Sequence, residues 1–561
     1  MTSLTVFPFN KTISLLPGET VHEALFRKGI ALDTPCNGQG VCGQCRIRVE
    51  NPADVPKTPH ENLTANETAD GIRLACCLVP ERDMIIHVLS EIADDSDFSI
   101  LEGEPDVVFS DCNPAARVQH KGDDPVMRYE SETLPLKIWE NTFSPKGLAI
   151  DIGTTTIVVS LISLKTGEDI STASALNPQI KMGHDVMTRI QTASTPDGLK
   201  TLSDAVHDGI NRLVTDTCRD AGANPNEILD VVLGGNTTML EIAGNINPEP
   251  LGHVPFTVDL AGGTHYSAAD FGLKTVNPDA RLYIPPIAHA FVGSDISAGM
   301  LVCKGFFDKT ANVLFIDIGT NGEIALQAGD KTLITSTAAG PAFEGMGLSS
   351  GMNARIGAVD AVETTAGNTL AFHTIGGAPA RGICGSGVID LTACLIRMGV
   401  LELSGRMLRP GEAGGLNGDI AGRLCEIDGM PAFEYGDHVY FTQKDVRQVQ
   451  LAKSAIKTAV DVFIKETGHT MDQIVVSGGF GHTLNPDSLA EIGLIPFNLA
   501  PRVSFAGNTS LLGCRRMLVD VSARRFIERQ MAEAEHLSLA ERPDFMEAFV
   551  ENSEFPDKAP A

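Results

Sequence analysis

One arrangement of residues occurs twice in this chain and constrains its fold more than any other feature. LAIDIGTTTIVVSLI (148–162) and NVLFIDIGTNGEIAL (312–326) each combine an apolar strand, a tight Asp-Ile-Gly-Thr turn and a second apolar strand. Their aspartates, Asp151 and Asp317, lie 166 residues apart. Glycine makes each turn tight enough for backbone N–H groups and threonine hydroxyls to meet phosphate oxygens. The repeat therefore predicts two phosphate-binding hairpins.

Each turn also offers a carboxylate, and a third segment supports the pair. Asp151 and Asp317 end their strands, where they can hold Mg²⁺ through water, because this ion prefers one or two carboxylates plus phosphate. One such turn would be weak evidence, since such hairpins also occur as plain turns. VSGGFG (476–481) is a further strand with a Gly-rich end, suited to close backbone approach to adenosine. The residues predicted to bind ATP in these segments are Gly153, Thr154, Thr155, Thr156, Gly319, Thr320, Asn321, Gly478, Gly479 and Gly481.

A cysteine set near the N-terminus indicates a different chemistry. CNGQGVCGQC (36–45) has the spacing C-x5-C-x2-C, and another cysteine follows thirty residues later. Glycines between these thiols leave room for backbone N–H groups to point at cluster sulfurs. The pattern resembles that of [2Fe–2S] ferredoxins, and the predicted metal ligands are Cys36, Cys42, Cys45 and Cys76. A structural zinc site is the alternative, although zinc sites usually contain two CxxC pairs and only one is present here.

The fourth ligand is a choice between neighbours. Cys76 and Cys77 lie within IRLACCL (72–78), which is predicted to be a strand, so their side chains would point to opposite faces. The ferredoxin-like Arg-Leu-Ala-Cys pattern favours Cys76 and leaves Cys77 as a small core residue.

The order of elements in residues 1–90 is that of a small β-grasp ferredoxin. Thr20 and Glu23 form a capping-box pattern that predicts the start of a helix, and a second, polar helix is predicted around 60–69. The predicted strands are 3–8, 11–16, 45–50, 72–78 and 83–89.

Composition excludes several classes of protein. A chain of 561 residues is too long for one core, so several domains are expected. A formal charge of −28 disfavours nucleic acid and anionic membranes as partners. No run of 18 apolar residues could span a bilayer, and the N-terminus lacks the pattern of a secretory signal. The twelve cysteines are therefore expected to stay reduced or bind metal, and the predicted location is the cytoplasm.

An acidic stretch follows the ferredoxin-like region. Residues 91–111 contain eight acids and no Lys or Arg, so this segment repels itself and resists collapse. We predict a linker over 91–145, interpreted as a solvated spacer. The alternatives are a swivel that lets the first domain visit more than one docking site, and a small packed module over 107–140.

The Gly-rich segments together resemble the acetate and sugar kinase, Hsp70 and actin superfamily, in which two similar halves clamp ATP. Further segments resemble one branch, the reductive activators of corrinoid-dependent enzymes, which join a ferredoxin domain and a linker to an actin-like ATPase. They are GNTTM (235–239), PPIAHAFVGSDISAGM (285–300), GPAFEGM (340–346), GICGSGVID (382–390) and LSLAERPDFMEAFVENSEFP (537–556). The resemblance implies an α/β and α+β multidomain protein: a [2Fe–2S] ferredoxin-like domain at 1–90, an acidic linker at 91–145, ATPase halves at 146–310 and 311–525, and a C-terminal helical tail at 526–561.

The resemblance also adds site residues, each with a plainer alternative. Asp295 would orient water or Mg²⁺ beside Asp151 and Asp317, or simply cap a helix. Glu323 would be a fourth catalytic acid or a surface strand residue. His289 is interpreted as a satisfied polar group rather than a cobalt ligand. The segment expected either to contact nucleotide or to form a helix-entry turn comprises Gly385, Ser386 and Gly387.

The activity that the resemblance implies is the ATP- and Mg²⁺-dependent return of a corrinoid from inactive Co(II) to Co(I), by one electron passed through a [2Fe–2S] cluster. Its implied partners are a corrinoid protein of a methyltransferase system and an upstream one-electron donor, and a homodimer is compatible with it. Two alternatives stay open. One is an ATP-driven donor like the activators of 2-hydroxyacyl-CoA dehydratases, which place a [4Fe–4S] cluster between two subunits. The other is a non-redox kinase or Hsp70-like ATPase.

Overall fold

The structure is a computed structural model of the chain, and it divides into two compact units. The first comprises Met1–Ser96 and Pro178–Thr192, and the second Asp97–Asn177 and Ala193–Ala561. The residues described are 2–16, 18–28, 30, 32, 43, 45–52, 55, 63–89, 112–121, 124–130, 132–135, 143–183, 185–307, 309–478 and 484–557. Within these ranges, no helix combines the length and the apolar character needed to cross a bilayer.

The first unit is built on a five-stranded mixed sheet. Its elements are β1 (Ser3–Phe7), β2 (Lys11–Ser14), α1 (Val21–Arg27), β3 (Arg46–Val49), α2 (Ala65–Ala69), β4 (Ile72–Leu74) and β5 (Met84–Val88), and the strand order is β2-β1-β5-β3-β4. The predicted capping box is confirmed, because Thr20 N donates to Glu23 Oε2 at 2.7 Å and Glu23 N to Thr20 Oγ1 at 3.2 Å. The predicted strand 72–78 is too long, since it ends at Leu74 and Ala75–Cys77 forms a 3-10 turn.

The second unit begins with a small antiparallel sheet inside the predicted linker. Its strands are β6 (Ala116–Lys121), β7 (Asp124–Tyr129) and β8 (Glu132–Pro135). Tyr129 is buried against the first large sheet, where its hydroxyl lies 3.1 Å from Asp230 Oδ1 and 2.9 Å from Arg524 Nη1. Arg524 and Asp230 form a fully buried ion pair at 2.6 Å. This sheet is therefore part of the second unit's core.

Two halves with one topology make up the rest of the unit. The first half contains β9 (Lys146–Ile152), β10 (Thr156–Ser163), β11 (Asp169–Leu176), α4 (Pro196–Ala221), β12 (Ile228–Gly235), α5 (Thr237–Ala243), β13 (Thr264–Ser267), β14 (Arg281–Ile284) and α6 (Ser294–Met300). Helix α3 (Val186–Ala193), between β11 and α4 in sequence, belongs to the first unit up to Thr192. The second half contains β15 (Val313–Ile318), β16 (Gly322–Ala328), β17 (Lys331–Thr337), β18 (Ala358–Thr364), β19 (Leu370–Thr374), β20 (Gly382–Ile383), α7 (Gly385–Arg397), α8 (Gly418–Gly422), β21 (Leu424–Ile427), β22 (Met430–Gly436), β23 (Val439–Thr442), α9 (Gln443–Thr467), β24 (Gln473–Ser477), α10 (Pro486–Glu491), β25 (Val503–Phe505) and α11 (Thr509–Val519). The chain closes with α12 (Val521–Glu533), β26 (Glu535–His536) and α13 (Phe545–Glu551).

The sheets of the two halves correspond in five of their six strands, whereas the sixth differs, since β13 pairs with β14 at one edge and β26 pairs with β17 at the opposite edge. The first has the order β11-β10-β9-β12-β14-β13 and the second the order β25-β24-β15-β16-β17-β26. In each, an antiparallel three-stranded meander is extended by two parallel strands, so β9 corresponds to β15 and β12 to β24. Asp151 pairs with Gly234 in the first sheet as Asp317 pairs with Ser477 in the second. The sequence repeat is thus a duplication of the fold.

Helices α6 and α11 cross between the halves. Gly513 on α11 lies against the backbone of Ala298 on α6, where any Cβ would overlap with the Ala298 carbonyl. Gly299 likewise leaves room for Phe315 of β15, since a Cβ there would lie 2.7 Å from its ring. α11 packs on β9 and β12 of the first sheet, although it follows the second sheet in sequence.

The C-terminal segment packs along α9. Gln450 Nε2 donates to Ser553 O at 2.8 Å, and the Lys453 ammonium donates to Glu554 O. Phe555 is buried in the core of the second half, with 2 % of its surface exposed, beneath the Lys453 ammonium 5.4 Å from its ring centroid.

Candidate functional site

Two predicted metal ligands meet in the first unit. Cys45 follows the cysteine loop at the start of β3, and Cys76 lies in the 3-10 turn after β4. Their Sγ atoms are buried and 3.2 Å apart, so they do not form a disulfide, which would bring the sulfurs to about 2.05 Å. The hydrogen bond with Cys45, together with burial, raises the pKa of the Cys76 thiol. Cys36 and Cys42 lie outside the described residues.

The pair fits an iron–sulfur cluster better than it fits a closed hydrophobic core. Two buried sulfurs 3.2 Å apart can bind one metal cluster together, and cysteine thiolate is the ligand that cluster irons require. Gly43 adopts φ +70°, a backbone conformation that L residues rarely adopt. When bound, the cluster supplies a one-electron carrier.

The prediction for Cys77 is wrong. Its side chain is exposed rather than packed in the core. Because Ala75–Cys77 turns as a 3-10 segment, neighbouring side chains do not alternate as on a strand, and the Cys76 and Cys77 sulfurs lie 3.6 Å apart. Cys76 remains the buried partner of Cys45.

Both Asp-Ile-Gly-Thr turns form the expected hairpins. Gly153 N donates to Thr156 O at 2.8 Å in the first, and Gly319 N donates to Asn321 O at 2.9 Å in the second. In the first turn, the Thr154 hydroxyl accepts a hydrogen bond from Asn236 Nδ2 at 3.1 Å. Asn236 is the N-cap of α5 within the GNTTM segment, and sequence reasoning missed its role.

The second turn has an acidic neighbour that sequence reasoning also missed. The Thr320 hydroxyl donates to the Glu344 carboxylate, in the loop that follows β17. Its signal in the sequence is an acid within the Gly-rich segment GPAFEGM, but nothing local places that loop over the turn.

Asp151 and Asp317 lie at the ends of the corresponding strands β9 and β15. Both oxygens of Asp151 accept hydrogen bonds, from Ser510 Oγ at 2.7 Å and from Asn508 Nδ2 at 2.9 Å. Burial raises the pKa of Asp317 to about 7, and the charge of Asp151 adds to this shift. Asp295 completes the group, since burial and the charge of Asp317 raise its pKa to about 8.

Two glutamates extend this acidic cluster. Burial raises the pKa of Glu323 well above its usual range, with further contributions from Asp295 and Asp317, and burial also raises the pKa of Glu344. All five residues are partly buried. Negative charges in such surroundings favour a cation beside them. No group of three potential ligands among the described residues is arranged to hold a metal directly.

The remaining predicted residues have mixed placements. Asp295 is not a helix cap, because Gly293 occupies the N-cap and Asp295 lies in the first turn of α6. Gly478 ends β24 at φ +148°, whereas Gly479 and Gly481 lie outside the described residues. His289 stacks on His536 with ring centroids 3.7 Å apart.

The GICGSGVID segment is explained by packing. Ser386 Oγ donates to Asp360 O at 2.6 Å, and a Cβ on Gly387 would overlap with Val359 O. Gly385 begins α7 as a buried helix-entry residue. Contact between these residues and nucleotide stays a prediction.

The fold and site define a class of protein: an N-terminal ferredoxin-like domain joined to a duplicated α/β domain of the acetate and sugar kinase, Hsp70 and actin type. Family models match three parts of the chain. They are a 2Fe-2S iron-sulfur cluster binding domain at 4–81, the RACo middle region at 146–305, and the C-terminal ASKHA domain of RACo at 311–561. The chain belongs to the RACo family.

Relatives agree with this assignment over the whole length. The corrinoid activation enzyme RamQ of Eubacterium limosum is 28 % identical, covering 94 % of this chain and 95 % of its own. The [Co(II) methylated amine-specific corrinoid protein] reductase of Methanosarcina barkeri is 25 % identical, covering 67 % of this chain and 70 % of its own. A solved structure of a reductive activator for corrinoid, iron-sulfur protein is 28 % identical, with a TM-score of 0.69 over 99 % of this chain and 98 % of its own. Reductive activation of corrinoid proteins is therefore the activity of the family, with an iron–sulfur domain and a nucleotide-binding domain.

Proposed function

We propose that this protein is an ATP-dependent reductive activator that returns a corrinoid protein of a methyltransferase system from Co(II) to Co(I). One electron leaves the reduced cluster and enters the cobalt, and the cluster is then reduced again by an upstream one-electron donor. The observation that carries the proposal is the presence, on one chain, of a buried thiol pair at Cys45 and Cys76 and a duplicated nucleotide fold whose carboxylates Asp151, Asp295 and Asp317 form one cluster. The free cysteines support a reducing compartment, the cytoplasm.

The first unit is the proposed electron carrier. Cys36, Cys42, Cys45 and Cys76 would hold a [2Fe–2S] cluster, and the match to a 2Fe-2S domain over 4–81 supports that type. Plant-type clusters have potentials near roughly −400 mV. Corrinoid Co(II)/Co(I) couples, as the family resemblance implies, lie lower still, and each 100 mV uphill costs an electron about 2.3 kcal/mol. A second source of free energy is therefore needed.

The duplicated domain is the proposed source. Gly153, Thr154, Gly319 and Thr320 would present backbone N–H groups and hydroxyls to the phosphates of ATP. Asp295 and Asp317, from the carboxylate cluster beside the turns, would face Mg²⁺ and the attacking water. ATP can drive the electron uphill only if its bound states differ in affinity for the corrinoid protein. We therefore place binding and release of the corrinoid protein under control of the nucleotide.

The partner's chemistry follows from the relatives. RamQ is described as a corrinoid activation enzyme, and the Methanosarcina barkeri relative as a reductase of a methylated amine-specific corrinoid protein. These names support a cobalamin-binding protein as the partner here. A homodimer is compatible with the proposal, which does not require one.

The test is anaerobic visible spectroscopy of Co(I) formation. Purified protein, a methylated amine-specific corrinoid protein in the Co(II) state and a low-potential reductant are mixed with and without MgATP. The expected result is Co(I) formation that depends on ATP and is lost in Cys42→Ala. Normal cluster reduction without Co(I) formation from any of several corrinoid proteins would contradict the proposal. A paramagnetic resonance signal of a [4Fe–4S] cluster instead of a [2Fe–2S] cluster would favour a dehydratase-activator type of donor, since both arrangements contain two irons per chain.

A further inference from the structure

The two Asp-Ile-Gly-Thr turns share a backbone plan but have different neighbours. Helices α6 and α11 occupy equivalent places, each following the parallel strands of its own half. The N-caps are Gly293 and Asn508, so Asp295 and Ser510 are both the second residue of their helix. The position that faces a phosphate turn is therefore an acid on α6 and a hydroxyl on α11.

Both oxygens of the Asp151 carboxylate accept hydrogen bonds from neutral donors, which oppose the rise in its pKa that burial causes. Ser510 Oγ donates to one of its oxygens at 2.7 Å and Asn508 Nδ2 to the other at 2.9 Å. The N-terminus of α11, a helix of 11 residues, adds a positive helix dipole at the same place.

Asn508, Thr509 and Ser510, at the N-terminal end of α11, join the two sheets. Asn508 and Ser510 are bonded to Asp151 at the end of β9, while Thr509 Oγ1 lies 2.9 Å from Ser477 Oγ at the end of β24. Asp151 is thus the first-sheet anchor of a junction between the two halves.

Asp317 has no comparable set of donors among the described residues. The side chain that hydrogen-bonds to Asp317 and lowers its pKa is Ser477. The Ser477 hydroxyl also lies 3.0 Å from Gly507 O, and it has one hydrogen to donate to these two acceptors. The other charges that act on Asp317 are carboxylates, and among the described residues Asp295 accepts a hydrogen bond from its own helix, at 2.9 Å from Ile296 N. A cation is therefore needed beside Asp317 and Asp295 to balance the charge of their carboxylates.

Building on the nucleotide-binding function proposed above, we infer that the two turns have different roles. Asp151 is a positioning residue that ties the first turn to α11. Asp317, together with Asp295, faces the Mg²⁺ that accompanies the nucleotide. The fold is duplicated, but the metal-facing role belongs to the second turn.

The test compares Asp151→Asn with the matched variant Asp317→Asn. Fluorescent mant-ADP is titrated into full-length, cluster-loaded protein, once with EDTA and once with MgCl₂. The Mg²⁺-induced gain in affinity should stay within about twofold of wild type in Asp151→Asn and in Ser510→Ala. It should fall at least about tenfold in Asp317→Asn. Equal loss of the Mg²⁺ gain in Asp151→Asn and Asp317→Asn would overturn the inference.

A second measurement reports on the junction. In nucleotide-free protein, amide hydrogen exchange at 509–512 should accelerate at least about tenfold in Asp151→Asn and Ser510→Ala, and stay unchanged in Asp317→Asn. Ser510→Thr keeps the hydroxyl and should restore slow exchange. Exchange that is unchanged in Asp151→Asn would overturn the positioning role. Wild-type protein that binds no nucleotide in either buffer would instead refute the nucleotide-binding function on which the inference depends.

Discussion

Single residues at the cluster site take their roles from the geometry of one short turn. The 3-10 segment Ala75–Cys77 brings Cys76 to within 3.2 Å of Cys45 and leaves Cys77 exposed, 3.6 Å from Cys76. A buried cysteine needs a countercharge, such as a metal ion, to become a thiolate. Cys77 is exposed to solvent instead.

Substitutions at these cysteines should distinguish the residues that bind the cluster from the residue that does not. Cys45→Ser should abolish the visible absorption of the cluster and lower iron content by more than about tenfold, because a cluster ligand is removed. Cys77→Ser is the matched control and should retain both. Loss of iron in Cys77→Ser with retention in Cys76→Ser would show that the assignment of the fourth ligand is wrong.

The sequence could predict these single residues only where their partners are local. The cysteine spacing, the Thr20–Glu23 capping box and the two hairpins depend on residues within a few positions of each other. Glu344, Asn508 and Ser510 were missed because they reach the turns from loops and helices that are distant in sequence. The error at Cys77 has a local cause, since a strand was assumed where the chain turns.

At the level of helices and strands, the closest contact in the nucleotide domain is the crossing of α6 and α11. It depends on Gly513, because the backbone of Ala298 occupies the space that any side chain would need. The α11 pattern predicts a buried helix, but not which strand of which sheet it covers. The same limit applies to Arg524 of α12, whose partner Asp230 is 294 residues away.

Gly513→Ala should destabilise the nucleotide domain by about 1–3 kcal/mol, because a methyl group is forced into a packed backbone contact. Gly418→Ala is the control, since nothing lies within 4 Å of the Cβ position at this exposed helix residue. It should be neutral or slightly stabilising. Thermal unfolding followed by circular dichroism measures both, and equal melting temperatures would contradict the packing argument.

The stacked histidines predict a dependence of stability on pH. Burial, with a smaller contribution from the charge of His289, lowers the pKa of His536 to about 4. The unfolded chain therefore binds more protons than the folded protein between pH 6.5 and pH 4, and stability should fall as the pH decreases through this window. After allowance for solvent screening, the loss should be about 1–2 kcal/mol.

His536→Phe keeps a ring on His289 and removes the titration, so urea unfolding at pH 4.5 and pH 7 should differ less in this variant than in wild type. Replacing the exposed His253 by Phe should leave the wild-type pH dependence. The same acid sensitivity in His536→Phe and wild type would argue against this pair as its origin.

For the whole molecule, the proposed division of labour makes the two functions separable. Asp317→Ala should reduce ATP-dependent Co(I) formation by more than about a hundredfold, because the metal-facing carboxylate is lost. The visible spectrum of the cluster and its reduction by dithionite should be unchanged. Loss of the cluster in this variant would contradict the separation of the electron carrier from the nucleotide domain.

Helix α11 comes late in the sequence but packs on strands from the first half of the nucleotide domain. This arrangement determines the order in which the parts of the protein can form during synthesis. The strands of the ferredoxin-like sheet have all been synthesised by residue 88, whereas the helix that covers β9 and β12 comprises residues 509–519. The core of the second half is complete only once Phe555 has been synthesised, because this side chain is buried in it. A nascent chain on the ribosome can therefore complete its ferredoxin sheet about four hundred residues before either half of the nucleotide domain is closed, and iron could be delivered before ATP has anywhere to bind.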